Sequence, residues 1–248
     1  KKIKFTKLIL CEMKNIQSKT YRYYYNNKIK DKKINTNDTN DFDNLEILNK
    51  NIKTEKGFRD LINISNIIYP IAENNDIGSF NLSSINSDFD NGFGGYYKII
   101  KSFKDKKITK YKYQTHSIFN KDTVKETPFT DEKYLENYSS KFAKILNTIK
   151  NSKGLILIYS FFIEQGCIPL ALILEQNGFY RDCIDGEEQL LDYSANKLKK
   201  GGKRTQICYL CGKDSKNELH NNEKLKDYHF FKIAKYILAF GGKDIVKI

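Results

Sequence analysis

Two cysteines and two histidines crowd into the stretch from Ile207 to Lys232: Cys208 and Cys211, then His220 and His229. The cysteines form a C-x2-C pair, a spacing whose tight turn lets both sulfurs address one ion, and Gly212 follows directly, as it often does in a metal-binding knuckle. His220 and His229 each come after eight intervening residues. Two thiolates and two imidazoles make a complete tetrahedral donor set for Zn2+, with no open position, so the chemistry is structural rather than catalytic. The histidine spacing is wider than the three to five residues of the common finger. Cys183 is an alternative ligand in place of either histidine, and the remaining reading is two reduced cysteines and two solvent-facing histidines. A polar segment of this kind has too little apolar surface to order itself, so a metal supplies the missing folding free energy.

The elements that must hold this cluster are legible on either side of it. SSKFAKILNTIKNSKG places Phe142, Ile145, Leu146 and Ile149 at i, i+3, i+4 and i+7, one apolar helix stripe, and Gly154 stands just past its end. LILIYS (155–160) is a continuous apolar run, the pattern of a parallel strand buried on both faces. IPLALILEQNGF follows as a helix with Pro169 in its first turn and Gly178 as its C-terminal cap. AKYILAFGG returns as a second apolar strand. Helix, strand, helix, strand is the unit of an α/β domain with a parallel sheet. The cluster then belongs to a small zinc-binding insertion, 182–232, looped out between a helix and the next strand. On this reading Leu155–Tyr159 lies sandwiched at the centre of the lobe beside Tyr236–Phe240.

The N-terminal half is less regular. KFTKLILCEM reads as a strand, MKNIQSKTYRYYY as a helix start, and 26–51 as polar loop. GFRDLINISNIIYP offers a short helical turn closed by Pro70. From 71 to 138 the chain reads as an irregular, basic insertion in which SFKDKKITKYKYQTH alternates as a strand pair. The resulting organisation is an interdomain linker and lobe start over 1–70, that insertion, and a partial α/β lobe over 139–248.

The chain of 248 residues carries a formal net charge of +13. Such a surface makes DNA or RNA the first partner to consider. Lys101, Lys104, Lys106, Lys107, Lys110 and Lys112 interleave with Phe103, Tyr111 and Tyr113, and a second group holds Lys197, Lys199, Lys200, Lys203 and Arg204. Lysines neutralise phosphates and aromatic faces stack bases; a solvated face in a lysine-biased sequence is the alternative. Five cysteines without a regular framework point to a reducing compartment. No apolar run approaches the roughly 20 residues of a membrane span, and no signal-peptide pattern opens the chain. It starts at Lys1, with Met13 its only methionine, and reads as a piece of a longer polypeptide.

No phosphate loop is present: GGKRT (201–205) and GGKDI (241–245) lack the first glycine and the hydroxyl after lysine, and DEKY (131–134) is no acidic helicase box. The GFGGYY glycines follow no convincing strand, and His116 and Ser160 lack catalytic company.

Four segments in order carry a resemblance. CEMKNIQSKTY resembles the "Ms..Q...Y" segment joining the two RecA-like lobes of SNF2-type superfamily 2 helicases, and FRDLINISNIIYP resembles their following "lr...N.P" element. SSKFAKILNTIKNSKGLILIYSFFIEQG resembles "S.K...l..i....gk.liys.f...G", which opens the second lobe and includes motif IV. LEQNGFYR and, after the insertion, KYILAFGG resemble "L...Gy.....ldG". With its cysteine-containing insertion the chain is most similar to the helicases of large DNA viruses, relatives of the poxvirus early transcription factor small subunit and nucleoside triphosphate phosphohydrolase. The resemblance implies a partial second RecA-like lobe of an ATP-driven motor on nucleic acid, acting in transcription or DNA metabolism. It also implies residence in a cytoplasmic viral factory or virion and a viral transcription complex as partner. Phosphate loop, acidic box and arginine finger all lie outside this chain, so ATP belongs only to the complete protein and no catalytic residue is carried over. Ser160, with Phe161, occupies the motif IV position, where it would line the nucleic-acid path. The alternative is a non-enzymatic module that binds nucleic acid or protein through a structural zinc site.

Overall fold

A computed structural model describes residues 8–26, 55–69, 100–105, 108–113, 118–119, 127–152, 154–182, 189–192 and 205–239. Its centre is the helix α5, Ile168–Gln176, in which every residue from Ile168 to Glu175 is buried. A helix apolar on all sides is a core helix, because its backbone polar groups are satisfied internally and every face can lose water. Pro169 costs nothing in the first turn. A π-helical segment, Ile163–Cys167, leads into it. At its end Gly178 adopts φ +97°, and Phe179 N–H reaches back to the Leu174 carbonyl at 3.0 Å, closing the last turn. A Cβ at Gly178 would lie 2.8 Å from both Ile207 Cγ2 and the Thr205 carbonyl oxygen, so this turn also seats the segment leading to the cysteines.

Among the described residues four further helices surround α5 or support its neighbours: α1 (Asn15–Tyr24), α2 (Glu55–Asn66), α3 (Glu132–Tyr138) and α4 (Ser140–Lys150). The expected stripe of α4 is there, with Phe142 and Leu146 buried and Ile145 and Ile149 packed against the core. Ser139 caps it by accepting the Phe142 N–H at 3.0 Å. The helix α2 runs through three turns where the sequence suggests a short helical turn. Within the stretch expected to be irregular, α3 is regular: Asp131 caps it by accepting the Lys133 N–H at 3.0 Å, and Leu135 and Tyr138 join Phe129 in the core. That cap gives Asp131, in the DEKY stretch, a plain structural role.

Strands are short and paired two by two. β1 (Ile100–Asp105) and β2 (Ile108–Tyr113) form the basic antiparallel pair expected from alternation, with Lys101 opposite Lys112 and Phe103 opposite Lys110. It joins the core where Tyr111 bridges Leu191 in parallel. β3 (Ile118–Phe119) pairs antiparallel with β4 (Thr127–Pro128). β5 (Tyr180–Arg181) pairs in parallel with β6 (Lys235–Tyr236). The described part of the fold is thus mixed α/β with a small parallel two-stranded sheet.

Two strand expectations fail, and a third, AKYILAFGG, is strand only over Lys235–Tyr236, with Ile237 78% exposed. Leu155–Ser160 enters no strand, and no backbone hydrogen bond ties 155–159 to described residues. Leu155, Leu157 and Tyr159 are 102%, 94% and 85% exposed, so the run is not buried on both faces and does not lie beside Tyr236, whose parallel neighbour is Arg181. The reason is geometric: an extended backbone can be submerged only between strands that take its N–H and C=O groups. The second failure is Leu8–Lys14, which is extended or irregular rather than a strand, with Leu8 and Leu10 exposed. The 26–51 loop and Pro70 lie outside the described residues almost entirely. Among the described residues no helix is long and apolar enough to cross a membrane.

Candidate metal centre and the buried hydrogen-bond junction

The cysteine and histidine segment is anchored where α5 ends. Ile207 N–H donates to the Gly178 carbonyl, and Cys208 bridges Ile233 antiparallel, flanked by Tyr209 N–H to the Lys232 carbonyl at 2.9 Å and Ala234 N–H to the Ile207 carbonyl at 2.8 Å. This bridge continues into β6, because Tyr180 N–H takes the Ala234 carbonyl. The turn after Cys208 closes through Gly212 N–H to the Cys208 carbonyl at 2.8 Å, with Gly212 at φ +69°. His220 ends a single 3₁₀ turn, Glu218–His220, capped by Asn217. His229 N–H donates to the Leu219 carbonyl, which brings the second histidine beside the first, ring centroids 4.9 Å apart.

The result is one site. Sγ of Cys208 and Cys211 and a ring nitrogen of His220 and His229 all lie within 4.8 Å of one another, so the group could hold a metal such as zinc. Cys208 is fully buried and His220 nearly so. Three details fit the donor set to a metal. His229 Nδ1 sits 2.8 Å from the Asp227 carbonyl, which fixes its proton there and leaves Nε2 as the lone-pair nitrogen. That Nε2 is buried and makes no regular hydrogen bond, although it lies close enough to Cys208 for each group to perturb the other. Burial raises the Cys208 thiol, but the backbone N–H groups of Lys232, Leu210 and Cys211, with His229, outweigh it and bring the pKa down to about 6. Cys211 moves the other way: burial raises it, and the Cys208 charge beside it adds to the rise. His229 is raised, first by its bond to the Asp227 carbonyl. Cys211 Sγ lies 3.2 Å from His220 Nε2. Cys183, the alternative ligand, lies outside the described residues.

The buried apolar side chains of 205–239 are Ile207, Ala234 and the thiol-bearing Cys208, and Phe231 supports His220 at 5.2 Å between ring centroids. So little apolar surface orders a segment weakly, which is where a metal contributes most. A Cβ at Gly212 would stand 3.4 Å from the Lys150 carbonyl, so the knuckle rests on the end of α4. The site therefore ties the ends of α4 and α5 and the β5–β6 pair together.

A second polar constellation joins α1, the end of α2 and the start of α4, which nothing in the sequence spacing connects. Gln17 on α1 is fully buried. Its Nε2 donates to the Ile64 and Ser65 carbonyls at 3.0 and 3.2 Å, and its Oε1 accepts the Ser140 N–H at 3.0 Å. Beside it, Lys141 Nζ donates to Asn66 Oδ1 at 2.7 Å and Ser139 Oγ donates to the Asn66 carbonyl. Glu175 is likewise fully buried; Oε1 accepts from Leu190 N–H and the Tyr236 hydroxyl, and Oε2 from Leu191 N–H. Nothing in the sequence pattern singles Glu175 out, since it reads as the polar end of an apolar helix.

The expected nucleic-acid residues are only partly placed. Lys110 and Lys112 lie on β2, partly buried, and Lys101 and Lys104 occupy positions on β1. Lys106, Lys107, Lys197, Lys199, Lys200, Lys203 and Arg204 fall outside the described residues, as do GFGGYY, His116 and both GGK stretches apart from Thr205. Ser160 serves a local turn: its Oγ bonds both the carbonyl and the N–H of Phe162, at 3.1 and 3.3 Å. Gly166 leaves room for that hydroxyl, since a Cβ there would collide with it. Ser160 is thus half-buried and satisfied, while Phe161 next to it is 77% exposed.

In comparisons with known proteins, no family model, no curated protein and no solved structure matches the chain.

Proposed function

We propose that this chain is the interdomain segment and part of the second lobe of an ATP-dependent superfamily 2 nucleic-acid motor, with a structural zinc ion clipping an insertion onto it. The observation that carries the reading is the Gln17 junction. Gln17 bonds the backbone of Ile64, Ser65 and Ser140, and beside it Ser139 and Lys141 bond Asn66, so hydrogen bonds tie three separate resembling segments together. Segments whose buried polar groups are satisfied by one another form a unit, which supports reading these three segments as one set. Ser160 over Gly166, and parallel β5 and β6 flanking the insertion, agree with it. Against it stands the exposed run 155–159, which the reading requires to be a central strand. In this role the chain engages nucleic acid and positions a lobe; hydrolysis belongs to groups outside it.

The test is nucleic-acid-stimulated ATP hydrolysis by the native polypeptide that contains this chain, together with its binding to DNA and RNA as salt rises. Stimulated turnover and a steep loss of affinity with salt are expected. Binding without turnover replaces the motor with the non-enzymatic module, and affinity that ignores salt removes nucleic acid altogether. For the metal, one zinc per chain is expected, and Cys208→Ser should release it. Hydrogen exchange should then rise across 205–236 while α5 stays protected.

A further inference from the structure

The antiparallel bridge at Cys208 and Ile233 divides the side chains around it between two faces. Cys208 is buried, Ile233 is half-buried, and Phe231, two residues before it, packs on the His220 ring. The residues next to them in sequence show the opposite exposure. Phe230 is 71% exposed, Tyr209 is 47% exposed, and Lys232, whose carbonyl takes the Tyr209 N–H, is exposed as well. Tyr228 stands edge-on to Phe230 at 5.6 Å. Lys224 and Lys226, just before these rings, are also exposed. The inward half of this segment serves the metal cluster; nothing in the described fold uses the outward half.

We infer that this outer face of the insertion, Tyr209 and Phe230 with Lys232 between them, binds single-stranded nucleic acid by stacking unpaired bases on its rings. Rings left exposed to water, with a lysine beside them, offer a base two favourable terms at once: a π face and a cation for the adjoining phosphate. Charge selects this occupant over a protein. Along 223–232 Lys224, Lys226 and Lys232 outnumber Glu223 and Asp227, and the chain as a whole carries +13, so a polyanion is favoured here. Duplex stacking selects the single strand, because bases held in a duplex stack already cover one another's faces. The cluster beneath holds the two chain segments in register and so sets the spacing between the rings. The inference extends beyond the motor reading and does not depend on it, since the face needs neither ATP nor a second lobe.

The chain contains no tryptophan, so Phe230→Trp places a single fluorescent reporter on this face. Titrating the zinc-loaded chain with oligothymidylate should quench that emission, and the same oligonucleotide annealed to its complement should not. Measured by anisotropy, Phe230→Ala should weaken single-strand affinity about tenfold, with Phe230→Tyr close to native. Zinc stoichiometry shows whether a variant keeps its fold; Tyr209→Ser, on the facing segment, provides the second variant, with a loss of similar size expected. Absence of quenching overturns the inference, as does affinity within about twofold of native for both variants, and the face would then belong to a protein partner. Stimulated ATP hydrolysis by the native polypeptide is a separate readout, so either proposal can fail while the other stands.

Discussion

LILIY (155–159) and IPLALIL (168–174) lie eight residues apart and are almost equally apolar, yet one is exposed along its length and the other is buried along its length. Apolar content therefore does not decide burial here. The helix satisfies its own peptide groups and can be surrounded. The extended run cannot, and what lies against it covers one side only. The run borders a groove that Gln17, Lys141, Ile145 and Ile149 also line; Ile156 and Ile158 are partly covered, at 40% and 38% exposure, while Leu155, Leu157 and Tyr159 remain 85% exposed or more. Hydrophobic stabilisation follows area removed from water, so the two runs contribute very differently to this fold.

That contrast can be broken experimentally, and the sharpest blow falls on the helix. Leu172→Ala, at a fully buried position, is expected to cost about 2–5 kcal/mol in denaturant unfolding. A loss below about 1 kcal/mol would mean that α5 is not the centre of the core. Next is the lining of the groove. Gln17→Ala removes three hydrogen bonds and leaves the Ser140 N–H and two carbonyls without their partner, for an expected loss of about 2–3 kcal/mol. Gln17→Glu should keep the acceptor for Ser140 but lose both donated bonds, which separates the two halves of the network.

Within the exposed run the effects shrink. Ile158→Ala is expected to cost about 1 kcal/mol, because its side chain is partly covered. Leu157→Ala should change stability by no more than about 0.5 kcal/mol, the range of an uncovered surface position. If Leu157→Ala cost as much as Leu172→Ala, 155–159 would be a buried strand after all, and the central-strand requirement of the motor reading would be met. A near-zero result leaves that requirement unmet.

The sequence alone determined whatever depends on local chemistry. The spacing of Cys208 and Cys211 fixes a turn that brings two sulfurs together, the stripe of α4 follows from helical period, and Gly178 ends α5 because a helix terminates readily through a left-handed residue. The basic hairpin follows from alternation around Asp105–Ile108. Only the tertiary structure decided which distant groups meet. It brings His220 and His229 to the sulfurs across eight-residue gaps, turns Gln17 toward Ile64, Ser65 and Ser140, and gives Glu175 its three donors. It also left Leu155, Leu157 and Tyr159 exposed. Periodicity records which side chains prefer to leave water; whether a backbone can follow them depends on neighbours that accept its hydrogen bonds, and those are a property of the assembled fold.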